Sequence, residues 1–226
     1  MCSSDLSLTF TGCSGYIAGN GRRAGGRWEA IHNPVDVDRF AFSPSVPGDA
    51  PLVFLSRVER IKGAHTAIAV ARRTGRRLLI AGNHSASGPE ARYWEEEIRP
   101  HLGRDGIEYV GPVDDPQKIA LLGGALAMIV PIEWNEPFGI VFAEALACGT
   151  PVISAPRGAL PEIVASGVHG FLVEGVDAAC AAVSRVGQID RAACRRRAEE
   201  AFSAAFIVQE YERLYRSVIA AGRKPA

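Results

Sequence analysis

The sequence predicts an α/β domain built on a doubly wound, mostly parallel sheet. From residue 51 onward, short apolar runs alternate with stretches of helical character, and Gly, Asp or Pro separates each pair. Several of the runs, such as LVFL at 52–55 and LLIA at 78–81, are apolar without alternation. Continuous apolar runs are typical of parallel strands that helices cover on both faces.

The elements follow one another in a regular order. Strands are predicted at residues 52–55, 78–81, 107–110, 127–130, 152–154 and 170–173. Helices are predicted between and after them at residues 64–73, 89–98, 117–122, 138–148, 161–165 and 178–186. Two more helices, at 191–202 and 207–220, follow the last strand, and no further strand is predicted after them. They are therefore an appendage to the sheet.

Composition excludes several classes of protein. The 226 residues include 25 basic and 25 acidic residues, so no basic field favours nucleic acid or an anionic membrane as a partner. No apolar run approaches the roughly 18 residues of a membrane span, and the N-terminus lacks the pattern of a signal peptide. The five cysteines are odd in number and include no CxxC pair, which argues against disulfides and zinc. A cytoplasmic location is therefore predicted.

Some familiar motifs lack their context. Residues 19–24 match GxGxxA, but no clear strand precedes them and no helix is predicted to follow. Asp36 and Asp38 form a DxD pattern, for which turn acceptors are commoner than metal ligands. The chain contains no GxxxxGK[ST] and no GxSxG, and its five histidines are scattered without metal-ligand spacing. No metal site is predicted.

The region most informative about chemistry is IEWNEPFGIVFAEALACGTPVISAPRGALPEIV, residues 132–164. Glu136 and Glu144 bracket a predicted helix start, where unpaired N–H groups and the helix dipole favour an anion such as phosphate. Eight helical residues advance roughly 12 Å, so the two carboxylates could flank one elongated ligand. Ionised carboxylates accept hydrogen bonds from hydroxyl groups strongly. Taken singly, each glutamate could equally be a dipole partner or lie on a solvated face.

A second cluster is LSRVERIKG, with Arg57 and Lys62 in the loop after the first predicted strand. In open α/β sheets, ligands gather at the carboxyl ends of strands, so both cations and the helix start after Pro137 could face one crevice. Surface cations are commonly only solvent-facing. Lys62, however, is one of three lysines among 25 basic residues, which favours contact with a ligand.

These segments together carry a resemblance. NPVDVDRF, LSRVERIKG, YVGPVDDPQK, EPFGIVFAEALACGTPVIS and RGALPEIV resemble the donor-binding, C-terminal half of the family 4 retaining glycosyltransferases, enzymes of GT-B architecture with two facing Rossmann-like domains. The resemblance runs from about residue 30 to the end. Ser56 stands where the family often has Gly before Arg, and Pro34 stands where NGVD is common. Both departures look compatible with the family pattern.

The resemblance implies a division of the chain. Residues 1–30, with six glycines and no clear periodicity, would be an irregular remnant or linker of a missing N-terminal Rossmann-like domain. Residues 31–205 would be the Rossmann-like nucleotide-sugar-binding domain, and 206–226 a helix that crosses to the absent domain. The abrupt start suggests a truncated reading frame, in which MCSSDL at 1–6 is not native sequence.

The resemblance also implies roles for individual residues. Arg57, Lys62 and Glu136 would be the catalytic set, the two cations holding the donor diphosphate and the carboxylate holding hydroxyls of the transferred sugar. Glu144 would bind the ribose hydroxyls. The other donor-binding positions would be the backbone N–H groups of Phe138, Gly139 and Ile140, and near the base Val113 and Lys118.

The function implied is transfer of a sugar, with retention at the anomeric carbon, from a nucleotide-diphosphate sugar to a hydroxyl acceptor. No cofactor would be required; a UDP-sugar is the favoured donor, with GDP-sugar and ADP-sugar as alternatives. The chain alone could instead be a catalytically silent nucleotide-sugar-binding module that needs a separate acceptor domain. A sugar-nucleotide epimerase fits less well, because the histidine-rich hydrolytic set it would need is not found.

Overall fold

The computed structural model describes residues 8–222 and confirms the predicted α/β fold. The strands are β1 (Thr9–Gly12), β2 (Arg27–Ala30), β3 (Leu52–Leu55), β4 (Leu78–Ala81), β5 (Ile107–Gly111), β6 (Ala127–Val130), β7 (Val152–Ser154) and β8 (Gly170–Leu172). The α-helices are α1 (Gly15–Ala24), α2 (Ala64–Thr74), α3 (Gly88–Tyr93), α4 (Asp115–Gly124), α5 (Ile140–Ala147), α6 (Leu160–Ile163), α7 (Gly175–Val186), α8 (Arg191–Phe202) and α9 (Ala204–Gly222). A π-helical turn at Trp94–Ile98 continues α3.

The main sheet has six parallel strands in the order β5-β4-β3-β6-β7-β8. The chain starts in the middle at β3, builds outward through β4 and β5, and then returns to the other side of β3 to add β6, β7 and β8. The direction of winding therefore reverses between β3 and β6. In open α/β sheets, ligands bind at such a reversal, in the crevice outside the carboxyl ends of the strands.

Both faces of the sheet are covered, as the apolar runs predicted. The strands β3 and β6 are buried at every position. Helix α2 packs against α7, and α5 packs against α8. The largest fully buried side chains include Phe54, Phe142 and Phe202, which belong to one continuous core. A core of this kind fixes where the loops at the carboxyl edge begin and end.

The predicted helix boundaries need several corrections. Helices α7 and α9 each begin three residues before the predicted start, at Gly175 and Ala204. The helix predicted at 138–148 begins at Ile140, because Gly139 takes a left-handed conformation with φ of 86° and Phe138 lies in the core. The helix predicted at 89–98 is α3 followed by the π-helical turn. The six strands predicted from residue 51 onward are confirmed to within one residue at each end.

The prediction that residues 1–30 are irregular is wrong for the described part. Strands β1 and β2 pair in parallel and flank α1, which Ser14 caps by accepting from the Ile17 N–H. Each strand is only four residues long, and only Gly12 among their eight residues is buried, so no apolar periodicity reveals them. Residues 1–7, which include the whole segment MCSSDL, lie outside the described residues. So do residues 223–226, at the end of the C-terminal region predicted to be helical.

The β1–α1–β2 unit docks on the main domain through polar contacts. Ser14 Oγ donates to the Pro137 carbonyl at 2.6 Å. The carboxylate of Glu162 accepts from the backbone N–H groups of Gly15 and Tyr16 at 2.7 and 2.8 Å, and lies 3.1 Å from His32 Nε2. Within residues 8–222, no helix combines the length and apolar character that a bilayer crossing requires.

Candidate functional site

The crevice at the winding reversal receives the loops after β3 and β6. The loop after β3 carries Arg57 and then turns through a 3₁₀ segment, Arg60–Lys62, into α2. Gly63 makes this entry possible with φ of 76°, and a Cβ there would lie 2.2 Å from the Pro131 carbonyl oxygen. The backbone of the first loop is therefore pressed against the loop that follows β6.

The two predicted phosphate-binding cations lie in different environments. Lys62 is buried, and its Nζ donates to Glu136 Oε2 at 2.6 Å. Arg57 has 65% of its side chain exposed, and its NH1 lies 2.6 Å from Glu59 Oε1 on its own loop. In the described part of the chain, Lys62 thus contacts the loop before α5, whereas Arg57 does not.

Glu136 is held from several sides. Its Oε2 also accepts from Trp134 Nε1 at 3.1 Å, and Lys62 Nζ lies 4.5 Å from the centre of the Trp134 ring. Its backbone carbonyl accepts from the Ala159 N–H at 2.8 Å. A Cβ at Gly158 would lie 2.2 Å from that carbonyl oxygen, so only glycine fits there. The loop after β7 therefore fixes the backbone that presents the Glu136 carboxylate.

The start of α5 follows directly. Phe138 is buried, and its ring lies 5.5 Å from that of His32 and 5.7 Å from that of Phe202, so its side chain is an anchor in the core. Gly139 turns the chain, and a Cβ there would lie 2.6 Å from a ring carbon of Phe142. The first N–H groups of the helix have no acceptor within the helix, as at any helix start. Ile140, the first helical residue, is 46% exposed, so α5 begins at the surface of the domain.

Glu144 forms a second acid–lysine pair. Lys118 Nζ, from α4, donates to Glu144 Oε1 at 2.6 Å and lies 3.2 Å from Asp115 Oδ1. It also lies 5.4 Å from the centre of the Phe40 ring. Burial lowers the pKa of Lys118, but the two carboxylates outweigh burial, so the pKa is raised overall and the ammonium group stays charged. Val113 lies before α4, half-buried and packed against the core.

In the structure, four of the predicted site residues thus form two ion pairs. Both lysines of the described chain pair with the two glutamates spaced eight apart. Neither pairing follows from sequence spacing. Trp134 was missed as a partner of both Lys62 and Glu136, although it lies in the same WNEPFG segment. Gly63 and Gly158 were also missed as close-contact positions; the only sequence signal was their place beside predicted site residues.

Two other kinds of chemical group, metal ligands and cysteine thiols, can be compared with the structure. Within the described residues, no group of three or more His, Cys, Asp or Glu side chains could hold a metal ion. Cys148, just after α5, is buried, and burial raises its pKa to about 11, so it is a protonated thiol at neutral pH. Such a thiol is not an activated nucleophile.

Most of the chain is similar in sequence to known proteins. A family model described as "Glycosyl transferases group 1" matches residues 38–200. Glycogen synthase of Mycobacterium tuberculosis (strain CDC 1551 / Oshkosh) is 37% identical over 179 residues, which cover 76% of this chain and 42% of that enzyme. The chain therefore spans less than half the length of this curated relative.

Solved structures share the fold. Sucrose-phosphate synthase from Thermosynechococcus elongatus superposes with a TM-score of 0.81 at 26% identity, over 96% of this chain and 60% of that one. HepE of Anabaena in complex with UDP superposes with a TM-score of 0.77 at 20% identity, over 92% of this chain and 63% of that one. At the latter identity the likeness concerns the fold alone.

Proposed function

The chain belongs to the glycosyl transferases group 1, with the α/β fold of GT-B enzymes, and we propose that it is the C-terminal, donor-binding half of a family 4 retaining glycosyltransferase. In this proposal the parent protein transfers a sugar from a nucleotide-diphosphate sugar to a hydroxyl acceptor. The observation that carries the proposal is the buried pair between Lys62 and Glu136 at the crevice, beside the start of α5 at the surface of the domain.

We assign the donor diphosphate to Lys62, Arg57 and the N–H groups at the start of α5. An ammonium group has three N–H donors, and Glu136 uses one of those of Lys62. The others can turn to phosphate oxygens while the pair persists. Arg57, exposed on the same loop, can swing from Glu59 to the same anion. Negative charge builds on the leaving diphosphate as the glycosidic bond breaks, so cations and N–H groups already in place stabilise that charge.

The two glutamates are assigned to hydroxyl groups at opposite ends of the donor. Glu136, fixed by Lys62 and Trp134, takes hydroxyls of the transferred sugar, and Glu144 takes those of the ribose. Lys118 orients Glu144 and lies with Val113 beside the base. Retention is proposed to follow a front-face route, in which the leaving phosphate assists the incoming hydroxyl, as the resemblance to the family 4 enzymes implies.

The acceptor site is proposed to lie on a second Rossmann-like domain, which α9 contacts. The chain covers 42% of the glycogen synthase relative, which leaves length for such a domain in proteins of this family. We therefore propose that this chain alone binds donor without transferring sugar; a silent binding module is the alternative for its natural role. A cytoplasmic location stays a prediction.

Calorimetric titration tests the donor assignment. UDP is the first probe because HepE was solved with it, and GDP and ADP are the alternatives. We expect one of the three to bind in the presence of a chelator, since the anion site is built from cations and N–H groups. If none binds at millimolar concentration, the proposed function is wrong. Sugar transfer by the isolated chain would refute the need for a second domain and leave the donor assignment intact.

A further inference from the structure

His65 links three elements around the candidate site. Its backbone N–H donates to the Tyr93 hydroxyl oxygen at 3.1 Å, and its Nδ1 lies 2.9 Å from the same oxygen. Its Nε2 lies 3.1 Å from Glu133 Oε1. Because the Tyr93 oxygen accepts from the backbone, its hydrogen is free to donate to Nδ1. Nε2 then carries the proton and donates to Glu133, which assigns the tautomer.

These contacts hold the loop that carries Lys62. On one side, the loop contacts the segment after β6, where the Glu133 N–H donates to the Ile61 carbonyl at 2.8 Å. On the other side, it contacts α3, where the Arg60 guanidinium lies 4.8 Å from the centre of the Tyr93 ring. His65 connects the two sides, because it bonds both Tyr93 and Glu133. The loop is therefore tied at once to α3 and to the loop that presents Glu136.

We propose that His65, acting through Tyr93 and Glu133, is a positioning residue that holds Lys62 against Glu136 in the geometry that receives the donor diphosphate, and that protonation of His65 loosens this loop. The inference rests on the proposed function for what the loop binds. Its position beside the pair, rather than any contact with substrate, gives His65 this role.

The chemistry of the network explains the dependence on protonation. An imidazolium has donors on both nitrogens, so Nδ1 can no longer accept from the Tyr93 hydroxyl. Burial lowers the pKa of His65; the carboxylate of Glu133 opposes this effect and the charge of Arg60 reinforces it. Burial also raises the pKa of Tyr93 to about 12, so the hydroxyl keeps its hydrogen. At neutral pH the His65 imidazole is therefore uncharged and the Tyr93 hydroxyl is protonated.

Two further carboxylates lie near His65, and both contact Arg60. Glu90 in α3 accepts from the Arg60 N–H at 2.8 Å, and Glu97 in the π-helical turn pairs with the Arg60 guanidinium. Glu97 is therefore the carboxylate that pairs with the Arg60 guanidinium, and Glu133 is the one in direct contact with the imidazole. The imidazole is 26% exposed, so protons from solvent reach it.

Hydrogen exchange and calorimetry on the full chain test the proposal. His65→Gln keeps a donor toward Glu133 but loses the acceptor for Tyr93, whereas His65→Asn keeps an acceptor close to the Nδ1 position. We expect His65→Gln and Tyr93→Phe to raise amide exchange in residues 57–62 about tenfold, the effect of one lost hydrogen bond, and His65→Asn to restore part of the protection. His101→Gln, outside the network, is the matched control.

The pH profile separates positioning from a merely structural role. Between pH 7.5 and 5.5 the affinity of the wild-type chain for UDP should fall more steeply than that of His65→Gln, which should start weaker at pH 7.5. Protonation of UDP itself is common to both proteins and cancels in the comparison. Equal exchange in residues 57–62, or equal affinities with equal pH profiles, would overturn the inference. A wild-type chain that binds no nucleotide while exchange still responds overturns the proposed function instead.

Discussion

Lys62 Nζ lies 2.6 Å from Glu136 Oε2, and only 11% and 10% of the two side chains are exposed. The pair joins the loop after β3 to the loop after β6 across the crevice of the sheet. Two opposite charges buried together compensate each other, but either one left alone is costly. This asymmetry makes stability and ligand binding separable by mutation.

Lys62→Met should destabilise the chain by about 3 kcal/mol, because it leaves the Glu136 carboxylate buried without its counter-charge. Arg57→Ala should change the free energy of unfolding by less than about 0.5 kcal/mol, since its pair with Glu59 is exposed. Both variants should weaken UDP binding. Urea unfolding and calorimetry measure the two effects. If the two variants lost equal stability, the pair between Lys62 and Glu136 would not contribute as a buried ion pair. If both bound UDP as tightly as the wild type, the assignment of the diphosphate to Lys62 and Arg57 would be wrong.

Glu144→Ala should weaken UDP binding about tenfold, because it removes a charged acceptor for the ribose hydroxyls. Glu136→Gln, which keeps an acceptor for Lys62, should leave the affinity for free UDP within about threefold of wild type, since Glu136 is assigned to the sugar rather than the nucleotide. Glu174→Ala, on an exposed pair with Arg157, is the control. Equal losses of UDP affinity at Glu136 and Glu144 in a calorimetric titration would overturn the division of roles.

Gly158→Ala should destabilise the chain by about 3 kcal/mol, from its left-handed backbone and from overpacking against Glu136. Gly75 is a matched control, because it has φ of 63° against 60° at Gly158 but nothing within 4 Å of an added Cβ. Gly75→Ala should therefore cost only the backbone term of about 1 kcal/mol. Thermal and urea unfolding compare the two. Similar losses at both positions would mean that the loop after β7 does not fix Glu136.

Ser14→Ala should cost about 1–2 kcal/mol, because the fully buried hydroxyl caps α1 and also donates to the Pro137 carbonyl. Ser184→Ala, whose exposed hydroxyl bonds a carbonyl in its own helix, should change stability by less than about 0.5 kcal/mol. Urea unfolding measures both. If Ser14→Ala left the free energy of unfolding unchanged, the contact of the β1–α1–β2 unit with the loop that carries Glu136 would not stabilise the chain.

Much of the fold could be predicted from local patterns. Strands β3, β4 and β6 are short apolar runs because both of their faces are covered, and burial on both faces leaves little place for polar side chains. Strands β1 and β2 could not be found in this way, since they are short and only one of their residues is buried. The start of α5 was misplaced because Pro137 is a typical helix-start signal, whereas Gly139 takes a left-handed conformation and the helix begins only after it.

The sequence by itself determined the alternation of strands and helices and identified Lys62, Glu136, Lys118 and Glu144 as residues of interest; their roles with a donor remain predictions. Only the tertiary structure decided that these four form two acid–lysine pairs and that Arg57 stands apart. The reason is physical: Lys62 and Glu136 are 74 residues apart and meet because β3 and β6 are neighbours in the sheet. Strand order depends on the packing of the whole core, and no local pattern in the chain records it.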